Sequence, residues 1–241
     1  MKNNFRKIKN VLILFCIVLS LVFGGCVNNA ADNPEANTKY QYAKELLVRD
    51  KYELAIEQLI DIVDYKDAEK ILFDSSITIS NLLLGIENYQ QVIDLLEPVI
   101  LKFEQNHTSK RHIALLKVTA GKAYYEIGEF DHAEQYFQIG KIYTHEATDY
   151  LNRIRILRPF QGDWQNSEYS ISFSYRISGE TIHHLTGIDS AFHRRLIIKS
   201  ENHLEDEKSE YSFSLLDEEL YLNALGGATF REGQYYKLSF N

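Results

Sequence analysis

Cysteine is nearly absent from this 241-residue chain, and the two that exist, Cys16 and Cys26, both fall within the first twenty-six residues. Beyond them no disulfide, no cysteine-based zinc site and no thiol redox centre can be built. Proline is as scarce: of three in the chain, one lies between residues 39 and 158, which leaves that span free to be helical. The longest apolar run, Val11 to Phe23, is thirteen residues, short of the roughly 20 that a bilayer-spanning helix needs. No basic cluster follows residue 26, so the electrostatic footprint of a nucleic-acid-binding protein is missing. Also missing are Gly-x-Ser-x-Gly, a Gly-rich phosphate loop, Ser-x-x-Lys and His-Glu-x-x-His. Without an activated nucleophile or a ligand pair at helical spacing, the expectation is no enzyme activity, no cofactor and no metal.

What is present begins with Lys2, Arg6, Lys7 and Lys9, then the apolar run, then Gly24-Gly25-Cys26. A basic start, a short apolar stretch and small residues before a candidate cleavage point are the anatomy of an export signal. The segment resembles bacterial lipoprotein signals, with Phe23 standing where an aliphatic residue is usual. The resemblance implies cleavage of residues 1–25 and lipidation of Cys26, with the protein held at the extracytoplasmic face of the cell membrane by its lipid. Removal of 1–25 takes four basic and no acidic residues, leaving 22 Lys+Arg against 34 Asp+Glu and a formal charge of −12. Such a surface repels anionic headgroups, so attachment falls to the lipid. Val27 to Thr38 is small, polar and aperiodic, and residues 26–38 read as a flexible tether.

Residues 39–158 repeat themselves. Ala43 precedes Ala55 by twelve positions and Leu59 follows by four; Gly121, Ala133 and Phe137 have the same spacing, and Ser80, Val92 and Leu96 form a weaker middle copy. Tyr52, Tyr89 and Phe130 recur at intervals of 37 and 41, near the period of about 34 of helix-turn-helix repeats. A small residue on the first helix of each pair lets the second approach closely. This half resembles a tetratricopeptide-repeat array, and Asp64-Tyr65-Lys66-Asp67-Ala68 resembles a linker of repeat-containing surface lipoproteins of low-GC Gram-positive bacteria. Thr148 to Leu157 is expected to cap the stack, and Pro159 to end it.

Residues 160–241 change character. Ser170 to Ile177 alternates as a half-buried strand and Ser178-Gly179-Glu180 supplies a turn. Further strands are expected at 181–188, 192–199, 210–216, 220–225 and 235–240, forming an antiparallel barrel or sandwich. Gly162-x-Trp164 resembles the opening of lipocalin-like barrels. The fold class is thus α+β multidomain, an all-α TPR-like repeat array followed by a small antiparallel β domain.

Within the β half, His183 and His184 are adjacent on a strand and point to opposite faces, so a shared ion would need His193 to join one of them across a hairpin. The acidic stretch 201–210 lacks the alternating ligands and central glycine of a calcium loop and reads as a solvated hairpin tip. Asp217, Glu218 and Glu219 fall in a turn with no fixed separation for acid/base work.

The resemblance to tetratricopeptide arrays implies a partner-binding inner face, at Tyr40, Lys44, Leu47, Ile77, Asn81, Leu84, Val118, Lys122 and Tyr125. Tyr40, Lys44, Asn81, Lys122 and Tyr125 are its candidate contacts with another exported or membrane protein. Apolar Ile77 and Val118 stand where carboxylate-clamping lysines would be needed, which argues against a receptor for chain termini. The alternative function is a carrier of a small molecule or glycan in the β domain, which requires Trp164, Tyr169 and Tyr175 to line a wet cavity.

Overall fold

The computed structural model describes residues 33–166, 173–186, 193–217, 219–225 and 233–237. The leader 1–25, Cys26 and Tyr169 therefore lie outside the described residues. Among the described residues seven helices come first: α1 (Pro34–Val48), α2 (Tyr52–Ile60), α3 (Ala68–Gly85), α4 (Tyr89–Gln105), α5 (Lys110–Glu126), α6 (Phe130–Gly140) and α7 (His145–Leu157). A single 3-10 turn, Arg158–Phe160, leads into the strands. Among the described residues no helix is long and apolar enough to cross a membrane.

α1 starts earlier than expected. Asn33 caps it, its Oδ1 accepting from the backbone N–H groups of Glu35 (3.1 Å) and Ala36 (3.2 Å), and Pro34 fits the first helical position, where no N–H is needed. Residues 34–38 are thus helix rather than tether, because cap and proline together override the weak periodicity of the stretch.

The three pairs α1/α2, α3/α4 and α5/α6 share one turn geometry. Asp50, Glu87 and Gly128 each adopt positive φ, of 57°, 60° and 82°. In each turn the N–H groups of that residue and the next reach back to carbonyls of the preceding helix, the bonding of a left-handed helix terminus. Ala43, Ala55, Ser80, Val92 and Ala133 are fully buried at the pair contacts. A Cβ on Gly121 would lie 3.1 Å from the Phe137 ring. The small residues are there because the second helix touches the backbone of the first. Between pairs one and two, Tyr65 donates to Asn37 Oδ1 (3.2 Å) and Tyr40 donates to Asp67 (2.5 Å), so the 64–68 linker is tied back onto α1.

Eight strands follow among the described residues: β1 (Gly162–Asn166), β2 (Phe173–Ser178), β3 (Thr181–Thr186), β4 (His193–Ser200), β5 (His203–Asp206), β6 (Tyr211–Leu216), β7 (Glu219–Ala224) and β8 (Gly233–Lys237). They pair antiparallel in chain order and β8 returns to β1, closing a barrel rather than a sandwich. Trp164, Tyr175, Ile177, Ile182, Leu196, Leu204, Phe213, Leu220 and Leu222 fill its interior, each 2% exposed or less. Strand β5 corrects the expectation of a solvated tip at 201–210. Leu204 and Asp206 point inward and are fully buried, and Asp206 Oδ1 accepts from the N–H groups of Glu210 (2.7 Å) and Tyr211 (2.9 Å), which ties the following turn.

One apolar cluster crosses the boundary. It runs from Val118, Tyr125, Phe130 and Phe137 through Ile154, Leu157 and Phe160 into Trp164, Ile177, Phe213 and Leu222. The array and the barrel share a core.

Candidate functional site

The junction between the two halves is built on a pair of facing glycines. The β2–β3 hairpin has a two-residue loop, Gly179-Glu180, and glycine at the first loop position (φ 59°) meets the demand of such loops for positive φ. This loop lands on the C-terminal end of α5. A Cβ on Gly128 would lie 2.5 Å from Ser178 Oγ, and one on Gly179 would lie 3.0 Å from the carbonyl oxygens of both Tyr125 and Glu126. Ser178 Oγ donates to the Ile127 carbonyl (3.3 Å). Gln161 fastens the loop from the linker side: its Oε1 accepts from Gly179 N–H (2.7 Å), and its Nε2 donates to the carbonyls of Gly179 and Leu157, both at 3.1 Å.

Glu180 is then carried into the junction with 2% of its surface exposed. Its Oε1 accepts from Tyr125 Oη (2.5 Å) and from Arg153 of α7, and its Oε2 accepts from Arg195 of β4 through Nη2 (2.9 Å) and Nε (3.3 Å). Arg153 also lies over the rings of Tyr125 (5.7 Å) and Tyr150 (5.8 Å). A carboxylate out of water is tolerated only with partners of this kind. Burial first and the Glu180 charge second push the Tyr125 phenol far above its usual range. Burial, then Glu180, also raises the Glu126 carboxyl, and burial followed by Glu126 raises Tyr150 to about 12. Beside this cluster, between α7 and β4, opens a cleft of about 590 Å³ lined by Asn152, Arg153, Ile156, Arg195, Ile197 and Ile198, among others.

The candidate partner contacts do not form one open face. Tyr40 is 6% exposed and bonded to Asp67. Tyr125 is fully buried beneath Glu180. Lys122 is half-buried and paired with Glu146 (2.7 Å). Lys44, its Nζ 5.4 Å from the Tyr40 ring, and Asn81 remain exposed. Around them the ends of α1 and α3 are apolar and wet: Val48 is 86% exposed, Leu82 58% and Ile86 71%. In the frame of the repeats, Leu47 and Leu84 occupy the place of Tyr125, and among the described residues that place is covered by the barrel in the third pair alone. Arg153, Arg195 and Gln161 were not singled out by the sequence, and Glu180 was read as a turn residue alone. The one available signal was Gly128 in a position where the other copies carry Asp50 and Glu87.

Of the histidines, His183 and His193 are register partners on β3 and β4, with Nδ1 atoms 2.9 Å apart; the side chain of His184 lies outside the described residues. Burial, then His193 and Arg176, lowers the His183 pKa.

Fold and junction together define a helical-repeat array sealed at its third pair by an eight-stranded barrel. No family model matches the sequence, and no curated protein matches it. Among solved structures, the N-terminal domain of stress-induced protein-1 from C. elegans aligns with 11% identity and a TM-score of 0.35 over 49% of this chain and 93% of that one. That likeness is too slight to carry an argument.

Proposed function

We propose that the protein is a non-catalytic binding or scaffold module, lipid-anchored through Cys26 at the extracytoplasmic face of the membrane, whose first two helical pairs receive a segment of another exported protein. One observation supports this reading above the others. The helical frame already holds a tight turn of polypeptide at its third pair, and the corresponding ends of α1 and α3 offer exposed Lys44, Val48, Asn81, Leu82 and Ile86 with nothing over them among the described residues. Continuity with the barrel-docked surface, and apolar anchors beside polar groups, fit an extended segment or turn of a protein rather than a small solute.

The test is recovery of a crosslinked partner from intact membranes by Val48→Asp and Ile86→Asp variants. Both should lose the partner while keeping helicity and Tm, since exposed positions contribute little to folding. Recovery at the level of the unaltered protein would refute the reading. For the anchor, Cys26→Ala should abolish metabolic fatty-acid labelling, because the acidic chain has no other source of membrane affinity; labelling that persists would refute it.

A carrier function in the barrel has less support, since Trp164 and Tyr175 sit in a packed interior. The cleft between α7 and β4 favours a small ligand. Arg153 and Arg195 at its edge suit a carboxylate with an apolar body.

A further inference from the structure

We propose that His183 and His193 form a surface chelate for one divalent transition-metal ion, with copper(II) the best fit, through their two Nδ1 atoms. A single hydroxyl proton sets the tautomer of His183. Thr181 Oγ1 donates to the Ser178 carbonyl at 2.8 Å, so its one hydrogen is committed. At 3.1 Å from His183 Nε2 it can only accept, and Nε2 must carry the ring proton. The Nδ1 of His183 is therefore the bare nitrogen, and it faces His193 Nδ1. A ligating histidine held through its second nitrogen by a fixed acceptor is the usual outer arrangement of a metal site.

The spacing also selects among ions. With imidazole–metal lengths of about 2.0–2.1 Å, a nitrogen–nitrogen separation of 2.9 Å subtends about 90° at a shared ion. That is the angle between neighbouring ligands of a tetragonal or octahedral centre and is narrower than a tetrahedral one. Copper(II) takes the tetragonal geometry and heads the affinity order for nitrogen ligands. The surroundings permit a cation. Arg176, the register neighbour of His183 on β2, is held by both oxygens of Asp163 at 2.7 and 2.9 Å, so its charge is locally balanced. The chain as a whole carries a formal charge of −8, which raises the local concentration of cations. Among the described residues no group of three or more His, Cys, Asp or Glu converges to hold an ion. The remaining positions of the ion would thus be left to water or to a donor from elsewhere.

The experiment titrates the full chain with copper(II) alone and reads binding by calorimetry and coordination by electron paramagnetic resonance. The unaltered protein should take one equivalent whose spectrum shows coupling to two imidazole nitrogens. His183→Gln and His193→Gln should each weaken that equivalent by at least about tenfold, the loss seen when even an outer partner of a ligand is removed, and Thr181→Val by about that factor or less. His203→Gln, on the neighbouring β5, should change nothing. His193 is exposed, so His193→Gln should fold normally, with circular dichroism as the check. Coupling to fewer than two nitrogens in the unaltered protein overturns the proposal, as does unchanged binding in the His193→Gln variant.

Discussion

The third helical pair and the first two are built on the same frame and meet different fates. All three turn at a left-handed residue, at Asp50, Glu87 and Gly128, and all three bury a small residue against the second helix. At the third pair the position after the helix is glycine because a hairpin rests on it, and the inner-face residue is Tyr125 because a carboxylate must be received there. At the first two pairs the same places hold Asp50 and Glu87, Leu47 and Leu84, with exposed Val48 and Ile86 beside them. The frame fixes the helices; the residues at these two places decide whether a repeat is closed from inside the molecule or left open.

The most severe way to break the comparison is to attack the contact that all copies share. Ala133→Glu places a charge at a fully buried helix contact and should cost about 4–5 kcal/mol, and Ala55→Glu should do much the same in the first pair. Glu134→Ala should cost under about 1 kcal/mol, because Arg158 keeps its second partner Asp131 (2.6 Å). Chemical denaturation distinguishes the two, and equal midpoints would refute the register.

The next variants act on the third pair alone. Glu180→Ala removes the acceptor of Tyr125, Arg153 and Arg195 and should cost about 2–4 kcal/mol, the upper figure limited because both guanidiniums can turn to water. Gly128→Asp inserts the first copy's residue under Ser178 and should cost about 2 kcal/mol through the clash. Asp50→Gly should instead gain about 0.5–1 kcal/mol by relieving a strained left-handed residue. Opposite signs in thermal melts would sharpen the contrast between closed and open pairs; the same sign would erase it.

The smallest effect is a matter of pH. The Glu126 pKa is raised in the fold, chiefly by burial, so its ionised form opposes folding. That opposition is fully present above the folded-state pKa and disappears as pH falls below the unfolded value. Glu126→Gln should therefore raise Tm slightly at pH 7 and leave it unchanged in acid; a fall at pH 7 would count against the junction's electrostatics.

Much of the helical frame was readable because its contacts are periodic: Ala43, Ala55, Gly121 and Ala133 announce a close approach by their size and spacing. The alternating stretch is strand over residues 173–177, residues 170–172 lying outside the described ones, and the Ser178-Gly179-Glu180 turn was readable for the same reason. Periodicity reports that a face is covered and not by what. Tyr125 reads as an inner-face aromatic whether a partner or the chain's own Glu180 lies over it. Strand β5 escaped because two inward residues, Leu204 and Asp206, are too few to establish alternation among flanking acids, and a buried aspartate looks like a solvated one until its backbone donors are known. The shared core also means that deleting residues 160–241 would strip Glu180 from Tyr125, so point variants separate the two halves better than truncation.

The most direct measurement places a photocrosslinking side chain at Ile86, at the open end of α3, and in a second protein at Leu216, also exposed, on the barrel, and irradiates intact membranes. If the open pairs receive a partner as the third pair receives the hairpin, Ile86 should yield one discrete heavier species that Lys44→Ala with Asn81→Ala removes, and Leu216 should yield none. Crosslinking from Leu216 with none from Ile86 would contradict the account and move the binding surface to the barrel.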